Sequence, residues 1–235
     1  MAQSESKEEA IARCRADAEQ GDAEAQFSLG ARYDEGDGVA KNPIEAARWY
    51  RKAADQGHGP AEFNLGVAYQ QGDGVPRDLL EAQRWYRRAA DRGSAGAQFN
   101  LGLMYDKGLG VMRDPSEAAT WYRRAAEQGL ARAQFNLACI LETGLGSTGD
   151  HAEAEKWYRA AAEQGHVDAQ HNLALMYYRG AGAAKNRDEA RKWMAKAATQ
   201  PGQYRAMAFT IVRRLAPWIV GGLAVAILLF WALSR

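Results

Sequence analysis

Apolar and polar positions along the chain recur with a period of 36 residues, in five copies beginning at Gly21, Gly57, Gly93, Gly129 and Gly165. No insertion or deletion separates them. A fixed period of this size marks a solenoid built from one supersecondary unit. In the copy spanning 93–128 the first half is apolar at Ala97, Leu101, Met104 and Tyr105, with Phe99 alongside. That is the spacing of one helix face. The predicted helix stops at Gly108, and Gly110 follows; glycine takes the left-handed conformation that closes a helix. The second half sets Ala118, Trp121, Tyr122, Ala125 and Ala126 along one side of a second predicted helix. Trp49, Trp85, Trp121, Trp157 and Trp193 form one core column, and Leu29, Leu65, Leu101, Leu137 and Leu173 another.

The second helix of each copy carries its own start signal. Asn42, Asp78, Asp114, Asp150 and Asn186 share a column, and Glu45, Glu81, Glu117, Glu153 and Glu189 lie three residues later. This predicts a capping box, the short side chain accepting from free N–H groups while the Glu reaches back. Pro43 and Pro115 fall at the first helical position, where a missing N–H costs nothing. The acids are therefore helix starts rather than paired catalytic carboxylates. The recurring G-x-G lacks the further glycine, the preceding strand and the Lys-Ser/Thr ending of a phosphate-binding loop.

The string A-Q-F-N-L-G-x-M-Y-x-x-G-x-G-V, then a polar cap, then W-Y-R-R-A-A-x-Q-G, resembles the Sel1-like repeat, a relative of the tetratricopeptide repeat. The resemblance covers residues 21–200. It implies an α/α superhelix whose usual role is to hold other proteins together. The expected fold is thus all-α: an α/α solenoid of two-helix repeats at 21–56, 57–92, 93–128, 129–164 and 165–200. Residues 1–20 align in phase with a second helix, Arg13 and Cys14 replacing Trp and Tyr, and read as an N-terminal capping helix, since solenoid ends need a more polar cover. Copy four departs at Ala138, Leu141 and Ser147, and copy five at His171 and Met194, as expected of terminal units.

Beyond the repeats, Tyr204, Met207, Ala208, Ile211, Val212 and Leu215 are spaced as an amphipathic helix. Residues 201–214 either close the last repeat or lie along a membrane surface. Residues 215–233 hold no charge, and as a helix they would span about 28 Å, close to a hydrocarbon core. Trp218 and Trp231 sit near its two ends, where indoles prefer the interface, and Arg213 and Arg214 precede it on the side kept cytoplasmic by the positive-inside tendency. The expectation is a transmembrane helix anchoring a cytoplasmic repeat domain to a lipid bilayer, resembling a tail-anchored protein. The abundance of Ala and Arg fits a GC-rich bacterium, and so a bacterial inner membrane. No signal-peptide core is present in the polar first ten residues.

Charge and candidate chemistry narrow the function. Residues 1–200 carry 26 Lys/Arg against 29 Asp/Glu, a net −3, and the arginine pairs Arg87/Arg88 and Arg123/Arg124 are followed within a turn by Asp91 and Glu127. Local ion pairs are expected there, which argues against a nucleic-acid surface. The histidines do not cluster, and Cys14 and Cys139 are too few for a disulfide framework; Cys139 reads as a small core residue. No metal, cofactor or catalytic constellation is expected. The tetratricopeptide alignment of Leu-Gly-x-x-Tyr implies a concave groove lined by the first helices, faced by the column Ser28, Asn64, Asn100, Asn136 and Asn172. Amides there either hold an extended peptide backbone or serve local backbone groups. The column Arg32, Ala68, Met104, Ile140 and Met176 varies among copies, as a partner-specific surface would allow. The candidate partner-binding residues are thus Asn64, Asn100, Asn136, Asn172, Arg32, Met104 and Met176. The expected function is a membrane-tethered adaptor for a protein or peptide partner. The alternative is a structural organiser that forms homo-oligomers through its span, where Gly222 and Ala226 make a small-x-x-x-small pair.

Overall fold

The structure is a computed structural model that describes residues 7–144 and 149–199. Among the described residues it holds eleven α-helices and no strand. α1 (Lys7–Glu19) precedes five helix pairs. The first helices are α2 (Ala23–Glu35), α4 (Gly59–Gln71), α6 (Ala95–Lys107), α8 (Ala131–Thr143) and α10 (Val167–Arg179). The second are α3 (Pro43–Asp55), α5 (Leu79–Asp91), α7 (Pro115–Glu127), α9 (His151–Glu163) and α11 (Arg187–Ala198). Each helix packs chiefly on the one before it and the one after it, the stacking of an α/α solenoid. The amphipathic stretch 201–214 and the apolar stretch 215–233, with Arg213, Arg214, Trp218 and Trp231, lie outside the described residues. Among the described residues no helix is long and apolar enough to cross a membrane.

The tryptophan column joins the units. Trp85 is buried with Tyr50, Ala53, Ala54 and Leu65, so the indole of one unit packs against the second helix of the unit before. Trp121 does the same with Tyr86, Ala89 and Leu101. At the start of the solenoid Trp49 and Leu29 are buried against Ala18 of α1, so α1 supplies the surface that a preceding unit would. Removing a buried Trp from such a joint costs about 3–5 kcal/mol.

The caps form as half of the expected box. Asn42 Oδ1 accepts from Ile44 N and Glu45 N at 3.1 and 3.2 Å, and Asp78, Asp114 and Asn186 repeat the pair. The Glu does not reach back. Each cap N–H instead donates to a carbonyl near the end of the first helix, Asn42 N to Tyr33 O at 2.8 Å and Asp78 N to Tyr69 O at 2.9 Å. That bond closes the helix–helix turn and releases the Glu side chain. Glu45 and Glu81 then pair with Arg48 and Arg84. Glu117 and Glu153 accept from Trp121 Nε1 and Trp157 Nε1 at 2.9 and 3.1 Å, while Trp85 Nε1 and Trp193 Nε1 are buried without a partner.

Three first helices are capped differently from the rest. Asp22 and Ser94 cap α2 and α6 with side-chain oxygens, but His58 and His166 cap α4 and α10 with Nδ1, accepting from Ala61 N at 3.2 Å and Ala169 N at 3.3 Å. Leu130 leaves α8 without a side-chain cap. His166 also stacks on Phe135 with ring centroids 4.6 Å apart. Burial pushes the His166 imidazole below its ordinary value, Arg132 adding to the shift and Asp168 opposing it; burial does the same to His171. A folded-state pKa below the unfolded one means the unfolded chain binds more protons between the two, so stability is full above about pH 6.5 and falls as pH drops through that window. Protonated Nδ1 also ceases to accept from Ala169 N, a cap contributing about 1 kcal/mol. Thermal melts at pH 7.5 and 5 are expected to show this loss, and His166→Ser, the residue type of copy three, to flatten the dependence.

Candidate partner-binding groove

Two ladders join the second helix of one unit to the first helix of the next. In the first, an arginine of one unit donates to a tyrosine of the next. Arg87 Nη2 meets Tyr105 Oη at 3.2 Å, Arg51 meets Tyr69 and Arg159 meets Tyr177, and Arg15 of α1 meets Tyr33 at 3.1 Å. Copy four has Leu141 in the tyrosine column and cannot accept. There Arg123 turns to Glu153, Nη2 lying 3.1 Å from Oε2, and this guanidinium holds the Glu153 carboxyl below its usual range. The second basic residue of each pair covers a tryptophan face, as Arg88 does over Trp85 and Arg124 over Trp121, each at 4.5 Å. The expected local ion pairs with the acids one turn on are thus replaced by contacts across the joint and with indoles. The acids beside these arginines are plain in the sequence; their tyrosines lie 18 residues away.

The second ladder is a buried amide clamp. Gln98 Nε2 donates to Ala90 O at 3.2 Å, and Gln128 Nε2 to Gln98 Oε1 at 2.7 Å. Gln26 with Gln56, and Gln134 with Gln164, repeat it. Copy two changes both partners. Glu62, fully buried, stands for the first Gln, and Arg92 Nε donates to its Oε2 at 3.2 Å. Arg88 Nε lies 2.9 Å from Oε1 but outside hydrogen-bonding angle, so Oε1 is held by charge alone. Since a carboxylate cannot donate, Arg88 Nη2 supplies the bond to Ala54 O, at 2.8 Å.

Second-helix tyrosines lie beside an asparagine of the next unit, and three of them also face an acceptor of their own unit. Tyr158 Oη donates to Glu142 Oε2 at 2.7 Å and accepts from Asn172 Nδ2 at 3.1 Å. Tyr86 Oη donates to Gln70 Oε1 at 2.5 Å beside Asn100. Tyr50 lies between Asp34 and Asn64. Tyr122 Oη is buried next to Asn136 without a partner at bonding geometry. Burial raises these phenols, Tyr50 to about 12, with the Asn64 amide opposing the shift, so the hydroxyls stay protonated and able to donate near neutral pH. The amides of Asn64, Asn100, Asn136 and Asn172 are half-buried, and each sits beside a tyrosine of the preceding unit. They still line the first-helix face.

The variable column is placed differently from the expectation. Met104 and Met176 are each 1% exposed, inside the core clusters, and Ile140 is buried as well. They sit one turn from Leu101 and Leu173, and a first helix is covered both by its own second helix and by that of the preceding unit, so its buried arc is wide. Met104 and Met176 are core residues and do not belong to the partner-facing set. Arg32 is half-buried and pairs with Asp37, Nη1 to Oδ2 at 3.0 Å. Cys139 is half-buried rather than sealed in the core, 3.3 Å from Tyr158 Oη, and burial pushes its thiol up. At the first repeat-to-repeat step a cavity of about 90 Å³ opens between α2, α3 and α4.

These features define a tandem two-helix repeat solenoid. The sequence profile of the Sel1 repeat matches residues 23–58, 59–94, 95–130, 131–166 and 167–201. The chain belongs to the Sel1 repeat family. A Sel1 repeat protein from Oxalobacter formigenes superposes with a TM-score of 0.80 at 35% identity, covering 86% of this chain and 83% of that one. A protective antigen present in uropathogenic Escherichia coli strains, displaying the same repeat fold, superposes with a TM-score of 0.78 at 42% identity over 80% of this chain. The alignment spans only 40% of the length of that antigen. No curated protein matches the chain. Sel1-repeat proteins in general mediate protein–protein interaction.

Proposed function

We propose that this chain is a membrane-tethered adaptor that holds an extended segment of a partner protein along the first-helix groove. The observation that carries the groove reading is the row of half-buried amides Asn64, Asn100, Asn136 and Asn172 at a constant 36-residue spacing. Each has two N–H donors and an acceptor, so bracing one tyrosine leaves capacity for a peptide backbone. The tether is supported by the uncharged stretch 215–233 with Arg213 and Arg214 before it and Trp218 and Trp231 at its ends. In this reading the repeats face the cytoplasm.

Crosslinking in intact membranes is expected to recover a protein partner, and Asn100→Ala with Asn136→Ala to reduce that recovery about ten-fold, the effect of roughly one good hydrogen bond to each amide. Undiminished recovery removes the amide row from the reading. Alkaline carbonate washing should leave the full chain with the membranes; its release into the soluble fraction removes the tether.

A further inference from the structure

We propose that the cavity at the first repeat-to-repeat step seats one basic side chain, lysine or arginine, of a partner's extended segment. This rests on the groove reading above and assigns it a chemistry. The cavity lies between α2, α3 and α4, with Ala46, Ala47, Val67 and Ala68 on its apolar side and Asp34 and Asp73 on its polar side. It opens here because of one position. Ala68 occupies the column that Met104, Ile140 and Met176 fill at the later steps, and those longer side chains are buried at 1%, 6% and 1% exposure. An alanine leaves uncovered the ground that a methionine would occupy.

The charge of the lining is the second observation, independent of the space. Two carboxylates, Asp34 and Asp73, stand at the rim, and no lysine or arginine is among the lining residues. Neither acid makes a salt bridge among the described residues; Asp34 lies beside the Tyr50 phenol. The step between copies two and three places Gln70 and Leu109 at these positions, so the paired charge and the open floor coincide at the first step. A methylene stem suits a floor of Ala46, Ala47, Val67 and Ala68, and a cationic head suits the rim; long basic side chains divide between apolar and polar surroundings in this way. Charge-assisted hydrogen bonds to the carboxylates are the stronger kind. Asn64 and Gln71 beside them supply donors and acceptors for the peptide backbone next to that side chain.

The test is selection of a random linear peptide library, displayed on phage, against the full chain kept in detergent micelles. Recovered peptides are expected to share a lysine or arginine at one position. A synthetic copy of the best peptide should bind about ten-fold more weakly once that lysine is acetylated, or its arginine replaced by norleucine. Ala68→Met, which installs the side chain of copies three and five, should weaken it at least as much. Asp34→Asn with Asp73→Asn should weaken it without adding bulk, which guards against a folding effect of the larger residue. Peptides lacking a shared basic position, or binding Ala68→Met and the double Asn variant as well as the parent, overturn the cavity proposal and leave the groove reading standing. Recovery of no peptide above background overturns both.

Discussion

Arg88→Met combined with Arg92→Gln, with Glu62 retained, is expected to destabilise the solenoid by about 3–5 kcal/mol, the cost of leaving a buried carboxylate without its cations. Glu62 is 0% exposed, and both of its charged neighbours would be gone. Adding Glu62→Gln to that pair should recover most of the loss. With glutamine at both positions, the amide on α4 would donate to Ala54 O and accept from the amide that follows α5, the arrangement that Gln98 and Gln128 make one unit later. Glu62→Gln with Arg92→Gln alone should be close to neutral, since exchanging both partners of a buried ion pair for a satisfied uncharged pair costs little. Urea midpoints followed by helical circular dichroism check all three. A double variant as stable as the parent would show that water, rather than Arg88 and Arg92, already satisfies the carboxylate.

How far such features are legible in the sequence depends on how far apart their partners lie. The repeat period, the tryptophan and leucine columns and the cap positions are local or strictly periodic, and the sequence carries them openly. The face of Met104 and Met176 is not legible in the same way. Periodicity shows that an apolar residue lies near Leu101, but the width of the buried arc depends on a second covering helix from another unit. Sequence proximity pairs the arginines with Asp91 and Glu127; Tyr105, across the joint from Arg87, is too distant along the chain to suggest itself. The reciprocal half of the capping box fails for a related reason, as the cap N–H groups find carbonyls at the end of the preceding helix. One long-range signal is present in the sequence itself: Glu62 and Arg92 are paired departures from columns that otherwise hold glutamine. A missing donor in one column and a new cation 30 residues on together describe a substituted contact.

The glycines of the unit offer the second large effect, because two of them should respond in opposite ways to the same added methyl group. Gly74→Ala is expected to cost on the order of 3 kcal/mol, from a left-handed backbone together with overpacking. Its φ is +72°, and a Cβ there would run into the carbonyl group of Pro43, at the start of the preceding unit's second helix. Backbone on both sides leaves nothing to yield, so the strain falls on the joint between units one and two. Gly102→Ala is expected to cost less than about 1 kcal/mol, although its Cβ would come 2.5 Å from the Tyr122 ring. A ring at the end of a side chain can move, and the chain already contains the solution: copy four carries Ala138 in this column, with Tyr158 still fully buried. Thermal melts of the two variants side by side separate the cases. Equal losses would mean that the tyrosine ring is held as firmly as the backbone, and that copy four accommodates Ala138 by a shift of the whole unit.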